Sequence, residues 1–448
     1  MNYQDVLDYI FNMKRFGDIK LGLERVSYML ERIGNPERKL KIIHVGGTAG
    51  KGSTVAMISS ILKASGYKVG SYTSPHLSSY TERIVVDGEK ISEDDVVSLF
   101  EFFQPIIDEL VKKNNRPTFF EVTTAMAFKY FFDKKVDFAV MEVGMGGRLD
   151  ATNVAKPLVS VITNIGLEHT EFLGGSLEKI AIEKAGIIKN FGILVTATQY
   201  EKVFRIFKET AREKNSKVLR LGDQFRVKKV SSSLDGQTFN VVGEDYVLNG
   251  LFTTIIGYFQ LANAAAAVAA VKSLKAFGLD VPDKSYFDGF KNVRWPGRME
   301  VMQKSPLVIL DSAKDSMAMG KLAESIKGMF SGKKITLVFA VSSDKKVGMM
   351  LKEIVPLASK VIITKHSLKE RAMDPSKIAE EVKKYGKEFF VMENVKDAVE
   401  KAIGDCGEDG MVLVTGSVFT VGEARERWFE EVDLRWGREL NEKNNIFR

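Results

Sequence analysis

The chain contains 448 residues, of which 45% are hydrophobic and 27% are charged. A single hydrophobic core rarely organises a chain of this length, so two domains are expected. The formal net charge is +7, but basic and acidic residues are interleaved along the chain, which argues against a nucleic-acid partner.

The composition also excludes several classes of protein. No apolar run is as long as a membrane span, and the N-terminus lacks the charged-then-apolar order of a signal peptide. Cys406 is the single cysteine, so neither an internal disulfide nor a cysteine metal cluster is expected. These features predict a cytoplasmic protein with no membrane partner and no redox chemistry.

The first half of the chain alternates apolar, strand-like runs with helical patterns. This alternation is typical of a parallel sheet with helices on both faces. The predicted strands are Lys41–Val45, Val136–Val143, Leu158–Asn164 and Gly192–Thr196. The predicted helices are Lys51–Ser65, Glu93–Lys113, Glu121–Lys134 and Leu177–Ile187.

A glycine-rich segment joins the first predicted strand to the first predicted helix. Residues 46–54 read GGTAGKGST, and Val45 stands where the strict Walker A pattern has its first glycine. Backbone N–H groups and a lysine at such a turn commonly bind polyphosphate. The segment therefore predicts a shortened phosphate-binding loop, although a tight connection without a ligand could contain the same glycines.

Two candidate side chains follow the second strand. Ser74 precedes a proline, and Arg83 lies a few residues later. A guanidinium forms a fork that suits a carboxylate, so Arg83 is a candidate substrate ligand. Ser-Pro is also a common way to open a loop, and turn formation alone explains both residues equally well.

The next two strands end in groups that suit a site for a metal and phosphate. Glu142 lies at the carboxyl end of one strand, and His169 lies just beyond the end of the other. These ends meet at one edge of a parallel sheet, where a carboxylate can hold Mg²⁺ against triphosphate oxygens. Glu142 could instead cap a helix or pair with Arg148, and His169 could be a structural histidine.

Lys184 lies within an apolar helical segment. A buried lysine must find a partner, lose its proton or be modified, so Lys184 is a functional candidate. An ion pair with Glu183 or Glu178 on the helix surface is the alternative.

The second half of the chain predicts a flap, a buried helix and then a second alternation. The flap spans residues 218–248, and the helix spans Gly257–Lys275. Later strands are predicted at Leu307–Leu310, Lys334–Ala340, Lys360–Thr364, Glu388–Val391 and Met411–Thr415. Later helices are predicted at Met317–Phe330, Pro375–Lys384 and Val395–Ala402.

These elements predict an α/β protein with two domains. Residues 1–294 form a P-loop-type parallel-sheet ATPase domain, and residues 295–448 form a smaller Rossmann-like α/β domain. The boundary falls at Asn292–Pro296, where a proline interrupts the pattern. The second domain has no Gly-x-Gly-x-x-Gly segment after its first strand, so a nicotinamide site has little support.

Together the motifs resemble the folylpolyglutamate synthase and dihydrofolate synthase family of the Mur ligase superfamily. The resemblance covers nearly the whole chain, and the order and spacing of the motifs make it specific. The motifs are GTAGKGS at 47–53, SPHL at 74–77, ERI at 82–84, EVGMGGRLDATN at 142–153, LEH at 167–169, EKAGIIK at 183–189, GYFQ at 257–260, NAA at 263–265, WPGRME at 295–300 and TGS at 415–417.

The resemblance implies roles for individual residues. Lys184 matches a lysine that is carbamylated in this family, a change that turns a cation into a carboxylate-like magnesium ligand. The implied ligands of two Mg²⁺ ions are Ser74, Glu142, His169 and Lys184, and the implied catalytic residues are Lys51, His169 and Lys184. The implied ATP ligands are Gly47, Thr48, Gly50, Lys51, Gly52, Ser53, Asn263, Arg298 and Asp311. The implied substrate ligands are Arg83, Lys314 and Ser417.

Several positions depart from the pattern of the family. Ala49 replaces an asparagine, and Glu168 replaces an aspartate. Residues 311–316 read DSAKDS where the family has DGAHNP, so Lys314 and Asp315 replace a histidine and an asparagine. Lysine is a point charge with no imidazole to titrate, so this departure bears on turnover and amino-acid specificity more than on ATP binding.

The resemblance implies an ATP- and Mg²⁺-dependent ligase that adds L-glutamate to the terminal glutamyl carboxylate of a reduced folate. An acyl phosphate is the implied intermediate, and the implied enzyme is a monomer whose partners are small molecules. One alternative is a bifunctional enzyme that also acts on dihydropteroate. Others are a Mur-type ligase, which matches the motifs less well, and a catalytically weakened protein that binds ATP or folate.

Overall fold

The computed structural model describes residues 1–13 and 21–429. Residues 430–448 of the predicted second domain lie outside the described residues. Within the two described ranges, no helix is both long enough and apolar enough to cross a membrane.

A large sheet occupies the centre of the N-terminal half. Its strands, among the described residues, are β1 (Lys41–Gly46), β2 (Val69–Tyr72), β3 (Ile84–Val86), β4 (Glu89–Lys90), β5 (Phe138–Glu142), β6 (Val159–Ile162), β7 (Ile193–Thr196) and β8 (Lys217–Arg220). Their order is β4-β3-β2-β5-β1-β6-β7-β8. The sheet is parallel from β2 to β8, and β3 and β4 extend it as an antiparallel edge.

Helices cover both faces of this sheet, as the alternation predicted. They are α1 (Tyr3–Phe11), α2 (Glu24–Glu31), α3 (Lys51–Ala64), α4 (Glu93–Lys112), α5 (Phe119–Asp133), α6 (Thr170–Leu173), α7 (Leu177–Ala185), α8 (Glu201–Glu213), α9 (Phe259–Ser273) and α10 (Asp283–Asn292). One face buries α3, α9 and α10 in a continuous apolar core, and the other face buries α1, α2, α4 and α5. The alanine-rich α9 is buried over most of its length, which suits a helix that is apolar on all sides.

The antiparallel flap begins and ends later in the chain than predicted. It consists of β9 (Phe225–Ser233), β10 (Gly236–Gly243) and β11 (Val247–Thr253), in the order β11-β10-β9. The prediction that the flap begins at residue 218 is wrong, because residues 217–220 form β8 and pair in parallel with β7. A short, half-buried edge strand has the same alternation in either kind of sheet, so the pattern alone did not separate the two.

The second α/β domain has a six-stranded sheet within the described part of the chain. Its strands are β12 (Glu300–Lys304), β13 (Leu307–Asp311), β14 (Ile335–Phe339), β15 (Lys360–Ile363), β16 (Glu388–Val391) and β17 (Met411–Thr415), in the order β12-β13-β17-β14-β15-β16. Its helices are α11 (Ser316–Met329), α12 (Val347–Ile354), α13 (Pro375–Lys383), α14 (Val395–Cys406) and α15 (Val418–Arg425). The predicted fold class is confirmed, while β12, α12 and α15 were not predicted.

The strand register of the large sheet brings the predicted site residues together. Val45 of β1 lies opposite Glu142 of β5, and Gly46 lies opposite Ile162 of β6. β2 pairs with the other side of β5. The segments that follow β1, β2, β5 and β6 therefore meet at one edge of the sheet, where parallel sheets bind ligands.

Candidate active site

The loop between β1 and α3 has a backbone that excludes side chains at two positions. Gly47 has a φ of 131° and Gly50 has a φ of 85°. A Cβ at Gly47 would lie 2.0 Å from Oγ1 of Thr163, and a Cβ at Gly50 would lie 2.3 Å from Oδ1 of Asn263. α3 begins immediately after Gly50, and the N–H groups of a first helical turn have no partners within the helix. Such a turn is suited to an anion.

Polar groups from the next strand end fix the shape of this loop. Oγ1 of Thr48 donates to the carbonyl O of Gly166 at 3.2 Å and accepts from its N at 3.0 Å. Oδ1 of Asn164 accepts from N of Ala49 at 2.9 Å. The loop is therefore held from behind by the segment after β6.

Two lysines converge on the carbonyl oxygen of Gly47. Nζ of Lys51 lies 3.0 Å from it and Nζ of Lys184 lies 2.9 Å from it. Lys184 is fully buried and also donates to Oε1 of Glu168 at 2.6 Å. Burial lowers the pKa of Lys184, although Glu168 opposes this shift. Burial alone would raise the pKa of Glu168, but the charges of Lys184 and Lys51 lower it, so the two groups form an ion pair.

The surface ion pair offered as an alternative for Lys184 is not formed. Lys184 pairs instead with Glu168, from the segment after β6, and Glu183 pairs with Arg148 at 2.8 Å. The sequence did suggest a buried lysine that needs a partner. It did not indicate this partner, because the contact depends on the packing of α7 against the strand end.

Glu142 lies buried at the end of β5. Its Oε2 accepts from N of Ser74 at 3.0 Å. The suggested pair with Arg148 is not formed, and among the described residues no lysine, arginine or histidine nitrogen lies within 4 Å of its carboxylate. Burial raises the pKa of Glu142, and the positive charges of the cleft, led by Lys51, oppose the shift. A buried carboxylate without a nearby cation is an expected place for a metal ion.

His169 lies on the cleft side of the P-loop domain and begins the short helix α6, with a φ of 45°. Its ring is exposed in the cleft. Loss of solvation lowers its pKa, Glu168 opposes this shift, and Lys345, Lys314 and Lys51 reinforce it. The neutral imidazole that results is the form that can ligate a metal.

Lys314 enters the same cleft from the second domain, just after β13. Its side chain is solvent-accessible, yet it sits in a crowded, positively charged space. Partial desolvation and the charges of Lys51 and Lys345 lower its pKa to about 8, against a smaller opposing effect of Glu168.

α9 contacts the first turn of α3 through a polar chain. Nε2 of Gln260 donates to Oγ of Ser53 at 3.2 Å, and Nδ2 of Asn263 donates to Oε1 of Gln260 at 2.8 Å. All three side chains are buried. Asn263 and Ser53, two predicted ATP ligands, are thus linked through Gln260, a residue to which the sequence analysis gave no role.

The two predicted ATP ligands of the second domain lie at its edge facing the cleft. Asp311 accepts from the backbone N of Met299 and of Ala313, at 2.9 Å in each case. Nη1 of Arg298 donates to the carbonyl O of Gly297 at 2.9 Å. Burial raises the pKa of Asp311, and the charge of Arg298 opposes this shift.

A first cavity of about 560 Å³ lies between the domains and is lined by aromatic side chains together with Arg83. Nε of Arg83 donates to Nδ1 of His76 at 2.9 Å, and its guanidinium lies 4.9 Å from the ring centre of Phe119. Arg83 is buried, and no carboxylate of the described residues lies within 4 Å of it. Burial lowers its pKa, but an arginine stays charged, so Arg83 presents to this cavity a cation that no carboxylate of the described residues contacts.

Two residues of the second domain have roles in helix capping. Oγ of Ser417 accepts from N of Phe419 at 3.2 Å at the start of α15. Oδ1 of Asp315 accepts from N of Ala318 at 2.9 Å at the start of α11. Aspartate and asparagine are equally good N-caps, so Asp315 can replace the family's asparagine without loss of this contact.

The predicted metal ligands form two groups and not one cluster. Ser74 and Glu142 lie on one side of the P-loop, and His169 and Lys184 lie on the other with Glu168. No group of three or more His, Cys, Asp or Glu residues in the described part of the chain could hold a metal alone. Mg²⁺ usually takes one or two protein carboxylates and completes its shell with phosphate and water, so this arrangement suits magnesium bound with ATP.

Four residues that shape the site were not among the predicted site residues. Gln260, Asn164 and Glu168 fix the loop and Lys184, and His76 contacts Arg83. Gln260, Glu168 and His76 belong to motifs quoted above. Asn164 is the last residue of a predicted strand. Their positions were therefore visible in the sequence, but their contacts join segments that are distant along the chain.

Two family models match the chain. The Mur ligase middle domain matches residues 45–271, and the Mur ligase, glutamate ligase domain matches residues 297–418. The chain, whose P-loop domain faces a second α/β domain across a charged cleft, is therefore a Mur ligase.

Individual relatives are more specific. The chain is 35% identical to a dihydrofolate synthase/folylpolyglutamate synthase of Bacillus subtilis, over 95% of this chain and 99% of that protein. It is 39% identical to a folylpolyglutamate synthase from Thermotoga maritima whose crystal structure is known. The two structures superpose with a TM-score of 0.85 over 97% of this chain and 99% of that chain. It is 30% identical to Escherichia coli FolC, which was solved in complex with DHPP and ADP. The TM-score is 0.86, over 95% of this chain and 97% of that chain. The chain belongs to the folylpolyglutamate synthase and dihydrofolate synthase family, which confirms the resemblance.

Proposed function

We propose that this chain is an ATP-dependent, ADP-forming amide ligase that adds L-glutamate to the terminal glutamyl carboxylate of a reduced folate. Family membership supports this reaction. The single structural observation that carries it is the buried guanidinium of Arg83, which has no carboxylate partner among the described residues and lines a cavity between the domains. A buried cation of this kind requires an anionic ligand, and the acceptor of such a ligase is a carboxylate.

ATP is the proposed occupant of the loop between β1 and α3. The ligands we propose for it are Gly47, Thr48, Gly50, Lys51, Gly52, Ser53, Asn263, Arg298 and Asp311. Glycine at 47 and 50 lets the loop pack closely against Thr163 and Asn263, which fixes the shape of the turn that would bind phosphate. Lys51 would turn from the loop carbonyls to the phosphates.

Mg²⁺ is the proposed cofactor, with Ser74 and Glu142 in one site and His169 and carbamylated Lys184 in the other. When bound with ATP, the metal would neutralise charge on the transferred phosphoryl group. Burial lowers the pKa of Lys184, and a shift in this direction favours the neutral amine that must attack carbon dioxide. Carbamylated Lys184 would be an anion beside Glu168, so the modified state is expected to need the metal as a counter-charge.

The proposed reaction has two steps. An oxygen of the acceptor carboxylate attacks the γ-phosphorus of ATP, and ADP leaves, which gives an acyl phosphate. The neutral amine of L-glutamate then attacks the acyl carbon, phosphate leaves and the nitrogen loses a proton. Lys51 and Lys314 would stabilise negative charge on the phosphoryl oxygens, and the closed cleft would keep water from the acyl phosphate.

Arg83 is the proposed ligand of an acceptor carboxylate, and Ser417 and Lys314 are proposed to lie near the incoming glutamate. The first cavity, with Phe119 and Phe120 in its wall, offers apolar surface for the ring system of a folate. We also propose a monomer, a domain boundary at residues 294/295 and a cytoplasmic location. One chain contributes both the loop and the cavity, which supports the monomer.

Glutamate-dependent release of phosphate tests the proposed function. With ATP, Mg²⁺ and tetrahydrofolate, we expect release that depends on both acceptor and glutamate and a product heavier by one glutamyl residue in mass spectrometry. A parallel reaction with dihydropteroate decides whether the chain is bifunctional, as the relative in Bacillus subtilis is named. ATP binding without release for either acceptor would contradict the ligase and favour a weakened binding protein.

Substitution of Lys314 tests the main departure from the family pattern. If its ammonium group stabilises phosphate, kcat/KM for ATP should fall as the pH rises through about 8, the pKa of Lys314, because the charged form is lost. Lys314→Arg, which stays charged, should remove this alkaline decline. Lys314→Met should lower kcat/KM by about tenfold to a hundredfold near pH 7 and leave little dependence on pH. A decline that persists in both variants would assign it to another group.

A further inference from the structure

A second cavity, of about 810 Å³, shares one lining residue, Pro75, with the first cavity. It is bounded by α3, by the β2–β3 edge of the large sheet, by residues 292–298 between the domains and by α15. None of the site residues proposed above lies in it except Arg298. The cavity is therefore a separate space that opens towards the same strand edge.

Its inner wall is partly apolar and lies against α3, the helix that follows the nucleotide loop. Val55, Val69 and Val293 contribute aliphatic surface, and Trp295 contributes an indole. A Cβ at Gly52 would lie 2.5 Å from Cζ2 of Trp295, so this ring packs on the first turn of α3. The Trp295 ring therefore lies between the cavity and the first turn of α3.

Three cations of this cavity have no carboxylate partner among the residues that the structure describes. Each of them donates to a backbone carbonyl oxygen instead. Lys63 donates to the carbonyl O of Asp87, Arg298 donates to the carbonyl O of Gly297, and Arg294 donates to the carbonyl O of Lys291. Two other cations of the lining are compensated, since Lys90 lies 3.8 Å from Glu82 and Arg425 lies 3.0 Å from Glu300. A concave surface with a net positive charge attracts anions. The spread of the cations favours an extended anion with several charges.

The proposed reaction creates such an anion. Each product is the acceptor of the next cycle and is longer by one γ-glutamyl unit with its own α-carboxylate. The reacting carboxylate must return each time to the same point beside the phosphates. Because the tail lies between the ring system and the reacting carboxylate, each added unit must move either the ring system or the tail out of the first cavity.

We propose that the second cavity receives the poly-γ-glutamate portion of the acceptor, with α-carboxylates paired to Lys63, Arg294 and Arg298. Thr73 and Pro75 of its lining flank Ser74, whose N donates to Oε2 of Glu142 at 3.0 Å, and this contact connects the cavity with the predicted metal site. This inference rests on the proposed function and adds to it a specificity for acceptor length.

The test compares acceptors of different length in two charge-reversed variants. Lys63→Glu and Arg294→Glu change exposed side chains that have no place in the proposed chemistry. The control is Lys208→Glu, an exposed lysine on α8 outside both cavities. kcat/KM is measured for tetrahydrofolate with one, two and three glutamyl residues.

We expect each cavity variant to lose less than about twofold with the monoglutamate and about tenfold with the triglutamate, as a carboxylate contact becomes a repulsion. The control should match the wild type for all three acceptors. Equal losses for every length, or no loss, would overturn the proposal.

The result can be separated from a failure of the proposed function. If the wild type turns over none of the acceptors, the ligase is wrong, and calorimetric binding of the same three folates then tests the cavity by itself. Weaker binding of the triglutamate alone in the two variants would support the cavity, and unchanged binding would reject it.

Discussion

Replacing Lys184 by alanine should reduce kcat by about 10³-fold or more, which corresponds to roughly 4 kcal/mol of lost transition-state stabilisation. Lys184 is fully buried, contacts the carbonyl of Gly47 in the nucleotide loop and is the proposed carbamylated ligand. Its removal takes away both a loop contact and a metal ligand. Steady-state release of phosphate at saturating ATP, folate and glutamate measures the effect.

Chemical rescue distinguishes the two possible forms of Lys184. A carbamate acts as a carboxylate, so formate or acetate should restore part of the activity of Lys184→Ala. If the residue acts as an ammonium ion, methylamine should restore activity and the carboxylic acids should not. The form can also be observed directly, since ¹³C-labelled bicarbonate should give a carbamate signal in the wild type that Lys184→Ala lacks.

The same substitution should also lower stability, because it leaves Glu168 as a mostly buried carboxylate without its cation. The Glu168 side chain is 13% exposed and lies 2.6 Å from Nζ of Lys184. Breaking a buried pair of this kind costs about 3 kcal/mol. Thermal unfolding of Lys184→Ala and of the double variant Lys184→Met/Glu168→Gln separates stability from catalysis. The double variant should regain stability and stay inactive, whereas restored activity would show that Lys184 serves only to neutralise Glu168.

The local parts of the site could be predicted from the sequence. A glycine-rich turn between an apolar strand and a helix needs only neighbouring residues, and Gly47 and Gly50 do adopt backbones that exclude a side chain. The strand ends that carry Glu142 and Thr163 were also predictable, because parallel strands place their carboxyl ends at one edge. The family resemblance extended these local signals to the second domain.

The long-range contacts could not be predicted in the same way. Nothing near Lys184 in the chain indicates that its partner is Glu168, since two nearby glutamates on its own helix were equally plausible. The uncompensated charge of Arg83 likewise becomes visible only when the segments around it are packed. The second cavity forms between α3, a sheet edge and the connection between domains, so no single segment of sequence signals it.

Replacing Lys51 by alanine is the second change with a large expected effect. Lys51 begins α3, and its Nζ lies 3.0 and 3.2 Å from the carbonyl oxygens of Gly47 and Thr48. We expect kcat to fall by about 10²- to 10³-fold, because a preorganised cation acts mainly on charge that develops in the transition state. The KM for ATP should rise less, since the loop amides still bind phosphate. Initial rates over a range of ATP concentrations separate the two constants.

The conservative variant Lys51→Arg serves as the matched control for charge. It keeps the cation, but its planar fork cannot occupy the position of the ammonium group between the two loop carbonyls, so only partial activity is expected. Calorimetric titration with ADP shows whether the loop itself is intact in both variants. Unchanged kcat in Lys51→Ala would move the phosphoryl contact to Lys314, which approaches the same cleft from the second domain. In that case the two lysines would be redundant, and the double variant Lys51→Ala/Lys314→Met should lose far more activity than either single variant.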